Sequence, residues 1–431
     1  MNSSRVPTKS VKIDAAWKKA VLVAVGALCI VASWSFSKWG MASSAAVRAE
    51  DADIAAFLTE LAPADPQTHY SAAVLLEKSF EQGDLLRSLN EFETATGLAP
   101  ENYLFWLDLG RARERSGDPA RAESALRRAL DLAPNYASVQ WALGNALLRQ
   151  GRAEEGFEQI KKAVAGDPGS FANPAAVAAW QFFGNDVGEL RRVAGGPIQF
   201  EGALAALLLR EKRFDEAMEI WDRLPAEERR NSLKETGAMF VGSMLAEKKF
   251  RDASEIATGL TDGVDAKVGQ ITNGGFESAV KPTGAGPFEW TIAAGMQPQI
   301  VLTNGPKHGG NNSLLIVFNS TDGKEFRSIS QLIAVEPNTF FELEIFYRAN
   351  IKTPASFKWE IADAVDGKQL AVSDAISNHT DWSPLHLKFR SAPNSDGIIL
   401  RLIRDNCGPV CPATGSIGFD DISLRRADGE R

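Results

Sequence analysis

Two different hydrophobic periods divide this chain. Between about residues 67 and 168, apolar positions recur every three or four residues, the spacing of one helix face. Leu109, Leu126 and Ala129 lie on faces that a single helical hairpin cannot cover, so neighbouring hairpins must stack. Pro66, Pro100, Pro134 and Pro168 punctuate this part at intervals of 34 residues. Each lacks a backbone donor and fixes its own φ, which marks the stop between one hairpin and the next. Small residues such as Gly110 and Ala122 allow paired helices to approach closely. After about residue 270 the period becomes two. Phe341, Leu343, Ile345 and Tyr347 share one strand face, opposed by Glu342, Glu344, Phe346 and Arg348. Phe357, Trp359 and Ile361 alternate with Lys358 and Glu360, and Leu385, Leu387 and Phe389 with His386, Lys388 and Arg390. Gly, Asn, Asp and Pro clusters separate these runs, which predicts an all-β sandwich of about 155 residues.

The helical part resembles the tetratricopeptide repeat. Trp106, Leu109, Gly110, Ala122, Leu126, Ala129 and Pro134 sit at that family's offsets, although Arg113 stands where an aromatic is usual. The next unit supplies Leu143, Gly144, Gly156, Ile160, Ala163 and Pro168. The preceding one supplies Leu75, Phe92, Ala95 and Pro100, with Leu76 in place of the glycine. Residues 47–61 read as one helix entering the stack, and 170–260 as degenerate helical pairs closing it. The resemblance implies a protein partner held in a groove by the first helix of each pair, at Glu77, Asp108, Arg111, Asn145 and Arg149. Arg111 and Asn145 lie near where such proteins hold peptide carboxylates. The competing reading is a set of solvated charges on a helix face.

A second resemblance spans roughly 270–426. Residues 271–277 (Ile-Thr-Asn-Gly-Gly-Phe-Glu) open it and 418–424 (Gly-Phe-Asp-Asp-Ile-Ser-Leu) close it, with Phe288-Glu289-Trp290 and Gly310-Asn311-Asn312-Ser313-Leu314 between. That order resembles the galactose-binding-like jelly-roll sandwich of several carbohydrate-binding-module families. It implies a possible glycan ligand and a structural calcium ion on Glu277 and Asp420, completed by carbonyls of the Asn311 turn. An acidic strand end without an ion is the alternative. Asp420 and Asp421 are adjacent on a strand, so their side chains are expected to point apart. Trp290, Arg348, Glu360 and Arg401 are candidate glycan contacts; burial in a sandwich core is the competing account of the aromatics.

The N-terminus adds a compartment. The run from Ala20 to Phe36 is almost wholly apolar, and Arg5, Lys9, Lys12, Lys18 and Lys19 precede it. This predicts one membrane span with a cytoplasmic N-terminus and the bulk of the chain outside. A cleaved signal peptide is the rival, with small residues at 42–46 as the cleavage region. In an exported protein Cys407 and Cys411 are expected to pair across their turn. A net charge of −8 without a basic stripe argues against nucleic acid. No phosphate loop, nucleophile elbow or His-Glu-x-x-His run occurs, so no enzyme and no required cofactor is expected.

The expected organisation is multidomain α plus all-β. It comprises a tail and transmembrane anchor (1–46), a solenoid of tetratricopeptide type (47–260, clearest over 67–168), a linker (261–269), a jelly-roll sandwich (270–426) and a tail (427–431). The expected role is a periplasm-facing scaffold at the bacterial inner membrane, in envelope polysaccharide assembly or export. A glycan-processing enzyme with an unrecognised carboxylate pair, or an interaction protein without sugar affinity, are the alternatives.

Overall fold

The computed structural model describes residues 15–79, 83–184, 186–260, 266–321, 325–405 and 410–427. The helices are α1 (Ala16–Ala46), α2 (Ala52–Leu61), α3 (Pro66–Lys78), α4 (Asp84–Leu98), α5 (Tyr103–Arg115), α6 (Pro119–Leu132), α7 (Ala137–Arg149) and α8 (Ala153–Gly166). They continue as α9 (Pro168–Phe183), α10 (Val187–Ala194), α11 (Ile198–Arg210), α12 (Phe214–Arg223), α13 (Ala226–Arg230), α14 (Lys234–Ala246) and α15 (Phe250–Leu260). The strands are β1 (Thr291–Ile292), β2 (Gln299–Thr303), β3 (Ser313–Ser320), β4 (Ile329–Ala334), β5 (Phe340–Ile351), β6 (Phe357–Asp363), β7 (Gln369–Val372), β8 (His379–Arg390), β9 (Gly397–Arg404) and β10 (Ala413–Arg426). By compactness the chain divides into Met1–Phe200 and Glu201–Arg431. Of the expected linker, residues 261–265 lie outside those described.

In the first unit the 34-residue interval has a local cause. Asp65 and Asp167 cap α3 and α9, accepting from the amides of Thr68 and Ser170, and Pro66 and Pro168 take the first helical position. Pro100 and Pro134 lie in the connecting turns, where each carbonyl accepts from a side chain six residues on. Trp106 Nε1 donates to Pro100 at 2.9 Å and Gln140 Nε2 to Pro134 at 2.6 Å, equivalent positions in successive repeats. Helix pairs then close tightly. A Cβ on Gly110 would sit 2.6 Å from Leu126, and one on Gly144 2.9 Å from the Gly156 carbonyl. The helix expected over 47–61 begins only at Ala52. Asp51 caps a new helix by accepting from the amides of Asp53 and Ile54, so the chain turns between α1 and α2.

Helix α1 has 31 residues, about 46 Å at 1.5 Å per residue. Its middle shows Val23, Leu28, Ile30 and Trp34 to the outside, so it is long and apolar enough to be a membrane span or a signal sequence. Its last turns differ. Ala42 and Ala46 are buried with Leu58 and Ala62.

In the second unit two five-stranded antiparallel sheets, β1-β4-β9-β6-β7 and β2-β3-β10-β5-β8, face each other. The expected inward residues Phe341, Leu343, Ile345 and Trp359 lie in the core, and Phe419 joins them there. This is the expected jelly-roll sandwich. The same unit ties a helix to the sandwich. Asp396, between β8 and β9, accepts from the amides of Phe250 and Arg251 at the start of α15, at 3.1 and 3.2 Å. Gly397 leaves room for the Phe250 ring, which would lie 2.4 Å from a Cβ there.

The first unit also holds a largely buried histidine–carboxylate pair. His69 in α3 places Nδ1 2.5 Å from Glu91 Oε2 in α4 and Nε2 3.0 Å from the Pro63 carbonyl. With Glu91 ionised both partners accept, so this geometry favours the imidazolium with a proton on each ring nitrogen. The Glu91 bond accordingly raises the His69 pKa above 6.5, outweighing burial. A raised folded pKa means stability that is complete below the unfolded value and lost as pH rises through the folded one. Thermal melts should therefore show the midpoint falling with pH above neutrality, and His69→Gln should cost about 1–3 kcal/mol at pH 6 and flatten that dependence. An unchanged slope in the variant would refute the assignment.

Candidate functional sites

Helices α5 and α7 turn one face each toward a shared recess of about 420 Å³. Arg111 and Arg115 are four residues apart on α5; Trp141, Asn145 and Arg149 follow the same spacing on α7. The recess carries three guanidinium groups, each paired. Arg111 bonds Asp108 at 3.1 Å, Arg149 bonds Glu114 at 2.7 Å, and Arg115 Nε donates to Glu77 at 3.0 Å. Asp108 also accepts from the Tyr70 hydroxyl at 2.7 Å. Asn145 donates to the Trp141 carbonyl, and the Trp141 ring stacks on Phe171 at 5.2 Å. The expected Arg111, Asn145 and Arg149 are thus brought together, with Glu77 and Asp108 acting as counter-ions. Trp141, Glu114 and Arg115 were missed; a four-residue step from Asn145 and Arg111 along the same helix faces would have found Trp141 and Arg115.

The outward face of β2-β3-β10-β5-β8 carries a second recess, of about 400 Å³, over the middle of the sheet. Arg348 on β5, Gly418 and Ser416 on β10, and Asn350 on β5 form its floor. A Cβ on Gly418 would lie 3.1 Å from Arg348 and 3.4 Å from Trp382, so both side chains rest over that glycine. Of the four expected glycan contacts only Arg348 is here. Trp290 is 2% exposed, packs on Phe276 and Trp359, and donates Nε1–H to the Asn273 carbonyl at 3.1 Å. It fills the core and offers a sugar no surface. Glu360 and Arg401 pair with each other across β6 and β9, on the other sheet. They share no groove with Arg348, because the two sheets turn their outward faces away from each other.

The family model for the tetratricopeptide repeat matches residues 80–137 and 107–171. These residues are tetratricopeptide repeats, and a two-sheet antiparallel β-sandwich follows them in the chain. The repeats make the chain a protein-interaction scaffold. Among solved structures, MamA from Desulfovibrio magneticus RS-1 (residues 41 to end) is 19% identical, over 42% of this chain and 85% of its own, with a TM-score of 0.28. The CBM22-1 xylan-binding domain from Paenibacillus barcinonensis is 15% identical, over 33% and 87%, with a TM-score of 0.24. TmCBM61 in complex with β-1,4-galactotriose is 13% identical, over 36% and 96%, with a TM-score of 0.28. No curated protein matches the chain. At these TM-scores the likenesses bear on neither ligand nor partner.

The carboxylates expected to hold calcium grip one loop of the sandwich, residues 306–312, from two sides. Glu277 Oε1 accepts from the amides of Asn311 and Asn312, at 2.7 and 3.0 Å, which lowers its pKa. Asp420 is fully buried and accepts from the amides of His308 and Gly309 on one oxygen and of Asp421 on the other. Burial nevertheless raises its pKa, ahead of those bonds. Asp420 and Asp421 do not point apart as expected. The ladder slips between Asp420 and Ser423, and Asp421 adopts φ 45°, which brings its carboxylate to His308 Nδ1 at 2.7 Å. Calcium takes six to eight converging oxygens. Here amide N–H groups converge on the carboxylates, and among the described residues no three His, Cys, Asp or Glu side chains are placed to hold a metal ion together. That donor set does not fit the ion; charge-assisted amide bonds hold the loop. Cys411 is buried, and its expected partner Cys407 lies outside the described residues. A chelator should leave the melting midpoint unmoved, while Asp420→Ala should cost about 1–3 kcal/mol by stranding the loop amides. A drop on chelation alone would restore the calcium reading.

Proposed function

We propose that this chain is a membrane-anchored, extracytoplasmic scaffold of the bacterial inner membrane. It holds a protein partner in its repeat groove and engages glycan on its sandwich, in envelope polysaccharide assembly or export. The observation that carries the reading is the recess between α5 and α7. There a half-buried indole, Trp141, is flanked by Arg111, Arg115 and Arg149. Aromatic and arginine side chains are the residues that dominate binding energy at protein interfaces. Their pairing with Glu77, Asp108 and Glu114 pre-orders them, so little side-chain freedom is lost when a partner docks. A peptide with an apolar anchor and acidic flanks matches this surface. Binding alone needs no cofactor, and the reading is of a non-enzyme.

Two features support the anchor over a cleaved signal. The middle of α1 is apolar all round, and its end is packed into the first hairpin through Ala42 and Ala46. Cleavage within 42–46 would cut a helical turn whose side chains are buried against Leu58 and Ala62. An extracytoplasmic location also suits pairing of Cys411 with Cys407.

Crosslinked capture of partners by the full-length protein tests the groove. Trp141→Ala should weaken capture by about 2 kcal/mol, near thirtyfold, and Arg149→Glu should weaken it without loss of helix content. Retention by both variants would remove the groove from the interface. The anchor is tested by intact mass and membrane fractionation: the chain should stay membrane-bound with α1 attached, and recovery of a soluble form beginning near residue 46 would establish a cleaved leader.

A further inference from the structure

We propose that the recess on the β2-β3-β10-β5-β8 face selects saccharides bearing carboxylate groups, that is uronate-containing glycans, over neutral ones. The proposal rests on the glycan reading above and deepens it by naming the substrate class. Arg348 is the centre of the argument. Three other strand arginines of this sandwich are neutralised by an acid on a neighbouring strand or loop, Arg401 by Glu360, Arg425 by Glu344 and Arg426 by Glu336, while Arg390 lies over the Phe340 ring. Arg348 has no such partner. Its neighbour across β10 is Gly418, and among the described residues its guanidinium makes neither an ion pair nor a hydrogen bond. The group is permanently charged, and its stem is held over Gly418, half-buried beside Trp382. Among the described residues no acidic side chain lines the recess. A fixed, uncompensated guanidinium in a concave site is matched by a carboxylate, which it can bind through two parallel N–H···O bonds.

The rest of the surface favours a sugar as the carrier of that carboxylate. Asn350 and Ser416 face each other across β5 and β10, and neither side chain is hydrogen-bonded among the described residues. They can donate to and accept from ring hydroxyls. Trp382, half-buried, brings the edge of its apolar ring to Gly418 in the recess floor. An acidic peptide would need main-chain partners, yet the recess lies over β3, β10 and β5, whose backbone groups are already spent in the ladder.

Calorimetric titration of the full-length protein in detergent with oligogalacturonate and with a neutral oligogalactan of equal length tests this. The uronate should bind at least about tenfold tighter, with the advantage shrinking as salt rises. Arg348→Gln should bring the two affinities together by lowering that for the uronate at least about tenfold more than that for the neutral sugar, and Trp382→Ala should weaken both. Equal affinities in the unaltered protein, or a uronate preference that survives Arg348→Gln, would overturn the proposal and leave the glycan reading intact. Binding of poly-glutamate with no binding of either saccharide would overturn both and assign the recess to acidic peptides.

Discussion

Everything built on the repeats depends on the close passage of paired helices at Gly110 and Gly144. With a side chain at either position, Leu126 or the Gly156 carbonyl would be displaced, and the two helices of a pair would separate. Because they do not, the faces carrying Leu109, Ala112, Leu126 and Ala129 are committed to the interior. The residues a helical step away from them on α5 and α7 are left to solvent. The groove is therefore a by-product of packing: once the glycines seal one side of each first helix, Arg111, Arg115, Trp141 and Arg149 have only the other side to occupy.

The sandwich works by a different constraint, the strict alternation of strands. Filling the space between its sheets with Phe341, Ile345, Trp359 and Phe419 sends every second residue outward. On one sheet that surface is neutralised by Glu360 with Arg401; on the other it leaves Arg348 uncompensated above a glycine. The same alternation fails in one place. A slipped register beyond Asp420 turns two neighbouring carboxylates to a single loop, and that loop borders the recess through Pro306.

Much of this was legible from residue order, and the reasons are physical. Helix period, the proline interval and strand alternation are local properties, so the repeats, the two-sheet sandwich and the apolar first helix could all be read. The groove residues Arg111, Asn145 and Arg149 followed because a repeat carries its geometry along the chain. Sites that depend on which sheet a strand joins were not readable. Arg348, Glu360 and Arg401 share the same phase, but pairing places them on opposite sides of the sandwich. Trp290 lies outside any long alternating run, so its phase gave no hint that it points inward. The break between α1 and α2 turns on one capping carboxylate, Asp51, which does not stand out among the neighbouring Arg48, Glu50 and Asp53.

The bonds from Asp396 to the amides of Phe250 and Arg251 join parts of the chain about 145 residues apart in sequence. A ribosome would release the last helix well before the residue that terminates it has been made. Until the C-terminal strands arrive, that helix begins with two exposed amides and a bare phenyl ring. Severing the polypeptide near residue 265 would leave it in that immature condition permanently, whereas a cut near residue 200 would keep the helix and its distant cap on the same fragment.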